Sequence, residues 1–198
     1  MVAVESNCAT ADGDEACGRE HTGGRGGGRS KRGGVKKILF VCSGNTCRSP
    51  LAEAIARSVH PARLGFDVEI ASAGTSALDG APASRHSLEV AREHGIDLSG
   101  HRSRELGRDM VRNADLIVTM GVRHRDTVGG IDPDSLESTF LLTNFSDRHD
   151  GDIPDPIGGS RDVYEETYLV IRECIDEMAA KLIVFDGWKK TREHGAGS

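Results

Sequence analysis

The chain has 198 residues, enough for one domain with a proper core. Its formal net charge of −6 argues against a general nucleic-acid binder, which is usually basic, and no apolar run approaches the ~20 residues of a membrane-spanning helix. No positive start followed by an apolar stretch marks a signal peptide, and Cys8, Cys17, Cys42, Cys47 and Cys174 match neither a secreted disulfide framework nor a structural zinc site, so a cytoplasmic protein with no metal, cofactor, nucleic-acid or membrane partner is expected.

Residues 1–34 differ from the rest. "HTGGRGGGRSKRGG" is low-complexity and cannot bury enough apolar surface to offset its ordering entropy, so a disordered leader is expected there, with the folded domain over 35–198. From Val35 strand and helix patterns alternate. "VKKILFVC" (Val35–Cys42) predicts a strand. Pro50–Val59 carries Leu51, Ala54, Ile55 and Ala56 at helical spacing, with Ser49 as N-cap and Pro50 at the first helical position. "DVEIAS" (Asp67–Ser72) predicts a second strand, and Ser84–His94 a helix stopped by Gly95. "SRELGRDMVRNA" (Ser103–Ala114) reads as a shorter helix, "DLIVTM" as a buried strand, and "GVRHRDTVGG" as a short helix or turn. "STFLL" (Ser138–Leu142) gives a fourth strand, and a polar loop then leads to a long amphipathic helix from about Asp162 to Val184. Alternation of this kind predicts an α/β fold, a parallel sheet flanked by helices on both faces, with ligands at the carboxyl ends of the strands.

That end holds "FVCSGNTCRSPLAEA" (Phe40–Ala54), between the first strand and the first helix. A strand-to-helix loop aims backbone N–H groups at its own centre, and the helix N-terminus adds positive potential. Ser43, Gly44, Asn45, Thr46 and Cys47 would form an anion cradle of phosphate size, with Gly44 making the tight turn. Arg48 can fork two N–H groups onto two phosphate oxygens. Cys42 would lie beneath, in surroundings that favour a thiolate nucleophile. In this reading the cysteine would attack phosphorus and the arginine would hold the oxygens. A proton must still reach the leaving group. Asp155, in the Pro/Gly-punctuated "IPDPIGG", is the best candidate; on composition alone it reads as an ordinary turn residue.

With "VCSGNTCRSP" followed late in the chain by "DP", and with "ASAGT", "HGIDLSGHRSREL" and "ADLIVTM" between them, the sequence resembles the low-molecular-weight protein tyrosine phosphatases over about Lys37–Val184. The resemblance implies a four-stranded parallel sheet and a cysteinyl-phosphate on Cys42. It implies Arg48 as phosphate binder and Asp155 as general acid and then base. It also implies a hydrogen-bonded support for the loop from Asn45, Ser49, Ser72 and His101, and Cys47 as a neighbour able to form a reversible disulfide with Cys42. Two positions bear on the substrate. Thr46 stands where tyrosine-specific members carry a bulky aliphatic residue and matches the protein-arginine phosphatases, whose "GNTCRSP" appears here. Ile157 stands where tyrosine-specific members place an aromatic residue and arginine phosphatases commonly a phenylalanine, and it lacks the ring stacking worth ~0.5–1.5 kcal/mol.

The expected partner is therefore a phosphorylated protein, with phosphoarginine preferred and phosphotyrosine the alternative. Thiol-linked arsenate reductases share the fold but need further cysteines, and only Cys174 follows the loop. A non-catalytic phosphoprotein-binding module would be expected to lack the nucleophile or the acid, and both Cys42 and Asp155 are present.

Overall fold

A computed structural model of the chain describes residue 35, residues 37–64 and residues 68–195. The expected leader (1–34) with Cys8 and Cys17 lies outside the described residues, as do Lys36 and Asp67 of two predicted strands. Four strands, β1 (Lys37–Cys42), β2 (Glu69–Gly74), β3 (Leu116–Thr119) and β4 (Thr139–Leu141), form one sheet in the order β2-β1-β3-β4. Every pairing is parallel. The helices are α1 (Arg48–Leu64), α2 (Arg85–Glu93), α3 (Arg108–Asn113), α4 (Val122–Ile131) and α5 (Arg161–Gly195).

The period of two along β1 divides the core. Ile38, Phe40 and Cys42 face one layer with Leu51 and Ile55 of α1 and Tyr168, Ile171 and Ile175 of α5. Leu39 and Val41 face the other with Ala71, Ile117, Val111 of α3 and Val128 of α4. Each fully buried aliphatic side chain contributes about 1.5–3 kcal/mol of transfer free energy, which explains why an almost unbroken apolar run reads as a central strand. β1 has β2 on one side and β3 on the other, so the chain reverses direction across the sheet at β1. The loop after β1 opens at that switch point.

Three expectations change. α1 begins at Arg48, so Ser49 and Pro50 are its second and third residues and not its cap and first position. Proline is tolerated there because the first-turn N–H groups have no partner within the helix. Residues 103–107 are not helical. Glu105 bridges Gly74, and Gly74 N–H and Leu106 N–H bond to the Arg104 and Gly74 carbonyls at 2.9 and 2.8 Å, so this stretch extends along the end of β2 and only Arg108–Asn113 coils. α5 runs on to Gly195, past the expected end at Val184. Ser84 does cap α2, accepting the Ser87 N–H, and Gly95 follows that helix at φ +75°. Among the described residues no helix is long and apolar enough to cross a membrane.

Candidate active site

β1 ends at Cys42 and α1 starts at Arg48, leaving five residues to turn the chain. Asn45 takes the left-handed conformation, φ +52°, which asparagine tolerates better than most residues with a side chain. Gly44, expected to make the turn, is not at positive φ, and a Cβ on it would meet only Thr46 Oγ1, at an ordinary 3.5 Å. The glycine the loop requires is Gly74 at the end of β2. A Cβ there would lie 2.9 Å from Asn45 N and closer still to the Ser43 carbonyl.

Asn45 is fully buried and its polar atoms are spoken for. Its Nδ2 donates to Ser49 Oγ (2.9 Å) and Ser72 Oγ (2.8 Å), its Oδ1 accepts from Arg104 N–H (2.9 Å), and its carbonyl accepts from His101 Nε2 (2.8 Å). Ser72 in turn donates to Glu53 Oε2. The Cys42, Ser43 and Thr46 carbonyls accept from the N–H groups of Thr75 (2.9 Å), Ser76 (3.0 Å) and Ser84 (2.8 Å). Because C=O and the following N–H point oppositely across a trans peptide, four carbonyls bound outward aim the N–H groups of Ser43, Gly44, Thr46 and Cys47 into the hollow of the loop. A hollow lined by amide donors in this way can hold an anion.

Cys42 lies beneath it, 2% exposed, with Sγ 3.0 Å from Ser49 Oγ. Ser49 accepts from Asn45, so its own hydrogen is free for the sulfur, the nearer of its two acceptors; Ala73 O is 3.4 Å away. Arg48 is buried. Its Nη1 donates to Ile153 O at 3.0 Å, its Nη2 forms an ion pair with Asp155, and its Nε is buried with no protein partner. The expected fork is thus partly occupied by the loop before α5. An unpartnered guanidinium N–H beside a ring of amide donors calls for an acceptor oxygen.

The structure brings Asp155 to Arg48 and leaves its side chain 38% exposed, in reach of an incoming ligand. Ile157, two residues on, is 70% exposed, and its N–H bonds to Asp155 Oδ1 at 3.3 Å. Thr46 is half-buried on the loop. Cys42 and Cys47 are both free thiols, and Cys47 Sγ lies 3.4 Å from the Tyr164 hydroxyl. Burial, and then the bond to Cys47, raises that phenol above its ordinary value.

Sequence reasoning missed Gly74, Glu53, Tyr164 and His124. His124 Nε2 is 2.9 Å from Ser43 Oγ. Burial holds the imidazole below its ordinary pKa and the Arg48 charge adds to this, against the opposing pull of Asp152 and Asp155. His124 belongs to α4, which follows the strand beside β1, and only the sheet order reveals that neighbour.

The family described as low molecular weight phosphotyrosine protein phosphatase matches residues 37–184. The chain is 38% identical to a protein-arginine-phosphatase of Geobacillus stearothermophilus over 74% of its own length and 95% of the relative's. It is 37% identical to the low molecular weight protein-tyrosine-phosphatase Etp of Escherichia coli strain K12, covering 73% and 93%. The solved structure of the arginine phosphatase YwlE, as a cysteine-to-serine mutant with a phosphorylated active-site serine, superposes with a TM-score of 0.69 at 34% identity, covering 74% of this chain and 95% of that one. The chain belongs to the low-molecular-weight protein phosphatase family and, like these relatives, is a protein phosphatase.

Proposed function

We propose that the chain hydrolyses phosphorylated protein side chains through a cysteinyl-phosphate on Cys42, with phosphoarginine preferred. The phosphoryl group sits in the loop hollow, its oxygens on the N–H groups of Ser43, Gly44, Thr46 and Cys47 and on Arg48 Nε. The Cys42 thiolate attacks phosphorus, a sulfur–phosphorus bond forms, and the bond to the arginine nitrogen breaks as Asp155 supplies that nitrogen with a proton. Water then attacks the phosphocysteine, Asp155 takes its proton, and inorganic phosphate leaves with the thiolate restored. The Ser49 hydroxyl steadies the sulfur as leaving group. Asp155 pairs with Arg48 through Nη2 while Nε is left for the anion, so the carboxyl group stands beside the bound phosphoryl group and can reach the leaving group. The single observation that carries the mechanism is Cys42 Sγ held by Ser49 at 3.0 Å under a loop whose arginine has a buried, unpartnered N–H.

The substrate preference rests on Thr46. A half-buried hydroxyl on the loop offers a hydrogen bond to a planar, polar guanidinium and little apolar surface to a phenol ring. Relatives that act as arginine phosphatase and as tyrosine phosphatase match at nearly equal identity, 38% and 37%, so phosphotyrosine is the second reading. An arsenate reductase relay finds no support in Cys174, which is fully buried and whose thiol is pushed up to about 11 by that burial.

Phosphate release from phosphoarginine and phosphotyrosine, measured side by side, tests the reading. Cys42→Ser should abolish turnover and still bind an oxyanion; turnover at the parent rate would end the covalent mechanism. Thr46→Ile should lower kcat/KM on phosphoarginine and raise it on phosphotyrosine, since leaving a polar group unpaired typically costs about 1–3 kcal/mol. An unchanged substrate ratio would reduce Thr46 to a packing residue.

A further inference from the structure

His124 is 7% exposed at the start of α4, and no sequence motif marks it. One ring nitrogen, Nε2, meets Ser43 Oγ at 2.9 Å; the other, Nδ1, is buried with no protein partner. A neutral imidazole carries a single N–H. Placed on Nδ1, that N–H would be buried without an acceptor, an arrangement proteins avoid more strictly than an idle lone pair. Placed on Nε2, it donates to Ser43. Burial, and after it the nearby Arg48 charge, disfavours the protonated ring, against the opposing pull of Asp152 and Asp155. With a lone pair of Ser43 Oγ taken by His124, the serine hydroxyl has its own hydrogen left to give.

Ser43 is next to Cys42, and its carbonyl is fixed by Ser76 N–H at 3.0 Å, so the backbone cannot swing to find that hydrogen an acceptor. The Ser43–His124 pair joins the loop directly beside the Cys42 thiol, through a 2.9 Å contact, and the charges of Arg48, Asp152 and Asp155 bear on the ring.

We propose that His124 is a positioning residue of the phosphatase reaction: as an Nε2–H donor it turns the Ser43 hydroxyl so that its hydrogen meets a phosphoryl oxygen over Cys42. This adds one side-chain donor to the ring of amide N–H groups, and it rests on the cysteinyl-phosphate reading above. Such a donor acts most on the charge that builds up as phosphorus is transferred, so its loss falls on kcat more than on KM.

The test is a variant series assayed on an aryl phosphate, with inhibition by vanadate and by inorganic phosphate as oxyanion probes. Ser43→Ala and His124→Leu should each lower kcat by about 10²-fold, with KM moving far less. Vanadate should lose more affinity than phosphate. The double variant should fall no further than either single one, because both remove the same donor. His124→Gln, whose amide can place an N–H near the position of Nε2, should recover most of the rate. Full kcat in Ser43→Ala, multiplicative losses in the double variant, or a Gln variant no better than Leu would each overturn the assignment. If His124→Leu does not fold, Ser43→Ala and His124→Gln decide alone. Turnover in Cys42→Ser would break the covalent reading instead; an inactive Cys42→Ser beside a silent His124 series breaks only this inference.

Discussion

Behind the anion loop, Asn45 is fully buried and bonded through its amide, its side-chain oxygen and its carbonyl to Ser49, Ser72, Arg104 and His101. Across the site, Asp155 is more than a third exposed, and its side chain is held by the ion pair to Arg48 and the Ile157 N–H. The first region is over-determined, as a left-handed asparagine carrying a row of inward amides must be. The second is held by contacts that a ligand can replace. An anion cradle works when it costs nothing to reorganise at the moment of reaction, whereas a proton donor has to meet a leaving group and then a water molecule. The two halves of one site are thus built with opposite stiffness, and three measurements can break or sharpen that contrast.

The largest effect is expected on the exposed side. Asp155→Asn should slow hydrolysis of a substrate with a poor leaving group by about 10²–10⁴-fold, and should slow an activated aryl phosphate much less. Its stability should move by no more than about 1 kcal/mol, because a pair with one exposed partner is screened by solvent. Equal kinetic losses on both substrates, or a large drop in melting temperature, would make Asp155 a structural turn residue and the contrast false.

On the buried side stability and activity should fall together. Asn45→Ala leaves Arg104 N–H without its buried acceptor, removes the donor to Ser49 and Ser72, and puts alanine at φ +52°. A loss of about 2–4 kcal/mol in chemical denaturation is expected, summed from the partners left unsatisfied. Rate and oxyanion affinity should drop in the same protein. A variant as stable as the parent would show that the network is ornamental.

The smallest effect is a pH dependence carried by His124, which meets Ser43 of the loop. Its folded pKa lies below the ordinary 6.5 because of burial and Arg48, with Asp152 and Asp155 opposing. Between that depressed value and 6.5 the unfolded chain takes up a proton that the folded chain refuses. Stability is therefore intact above pH 6.5 and falls as the pH drops toward the folded pKa. Denaturation of the parent and of His124→Gln at pH 7.5 and 5.5 should show a smaller pH-dependent loss in the variant. Identical losses would remove His124 as the titrating group.

Much of this could be read before any fold was known. The unbroken apolar run ending at Cys42, the helical spacing after Pro50 and the turn residues around Asp155 are local signals, because strand burial, helix periodicity and proline or glycine geometry act over a few residues. They gave the strand–loop–helix unit and the parallel architecture. The stretch 103–107 misled because its helix-compatible composition was outweighed by backbone bonds to Gly74, twenty-nine to thirty-three residues earlier in the chain. Such a partner leaves no periodicity to find.

The site divides along the same line. The residue types of the loop suggested the chemistry proposed for it: a thiol, amide donors and a guanidinium can be arranged around an oxyanion in only a few ways. Which residue turns the loop, which glycine permits it and what holds the thiol were decided by neighbours distant in the chain. Asn45 takes the turn because Ser72, His101 and Arg104 converge on it. Gly74 must be small because β2 lies against the loop. Arg48 is shared with Ile153 and Asp155 because the loop before α5 passes over the start of α1. His124 faces Ser43 because β3 pairs with β1. Each depends on the order of strands in the sheet, a property of the packed whole that no window of sequence contains.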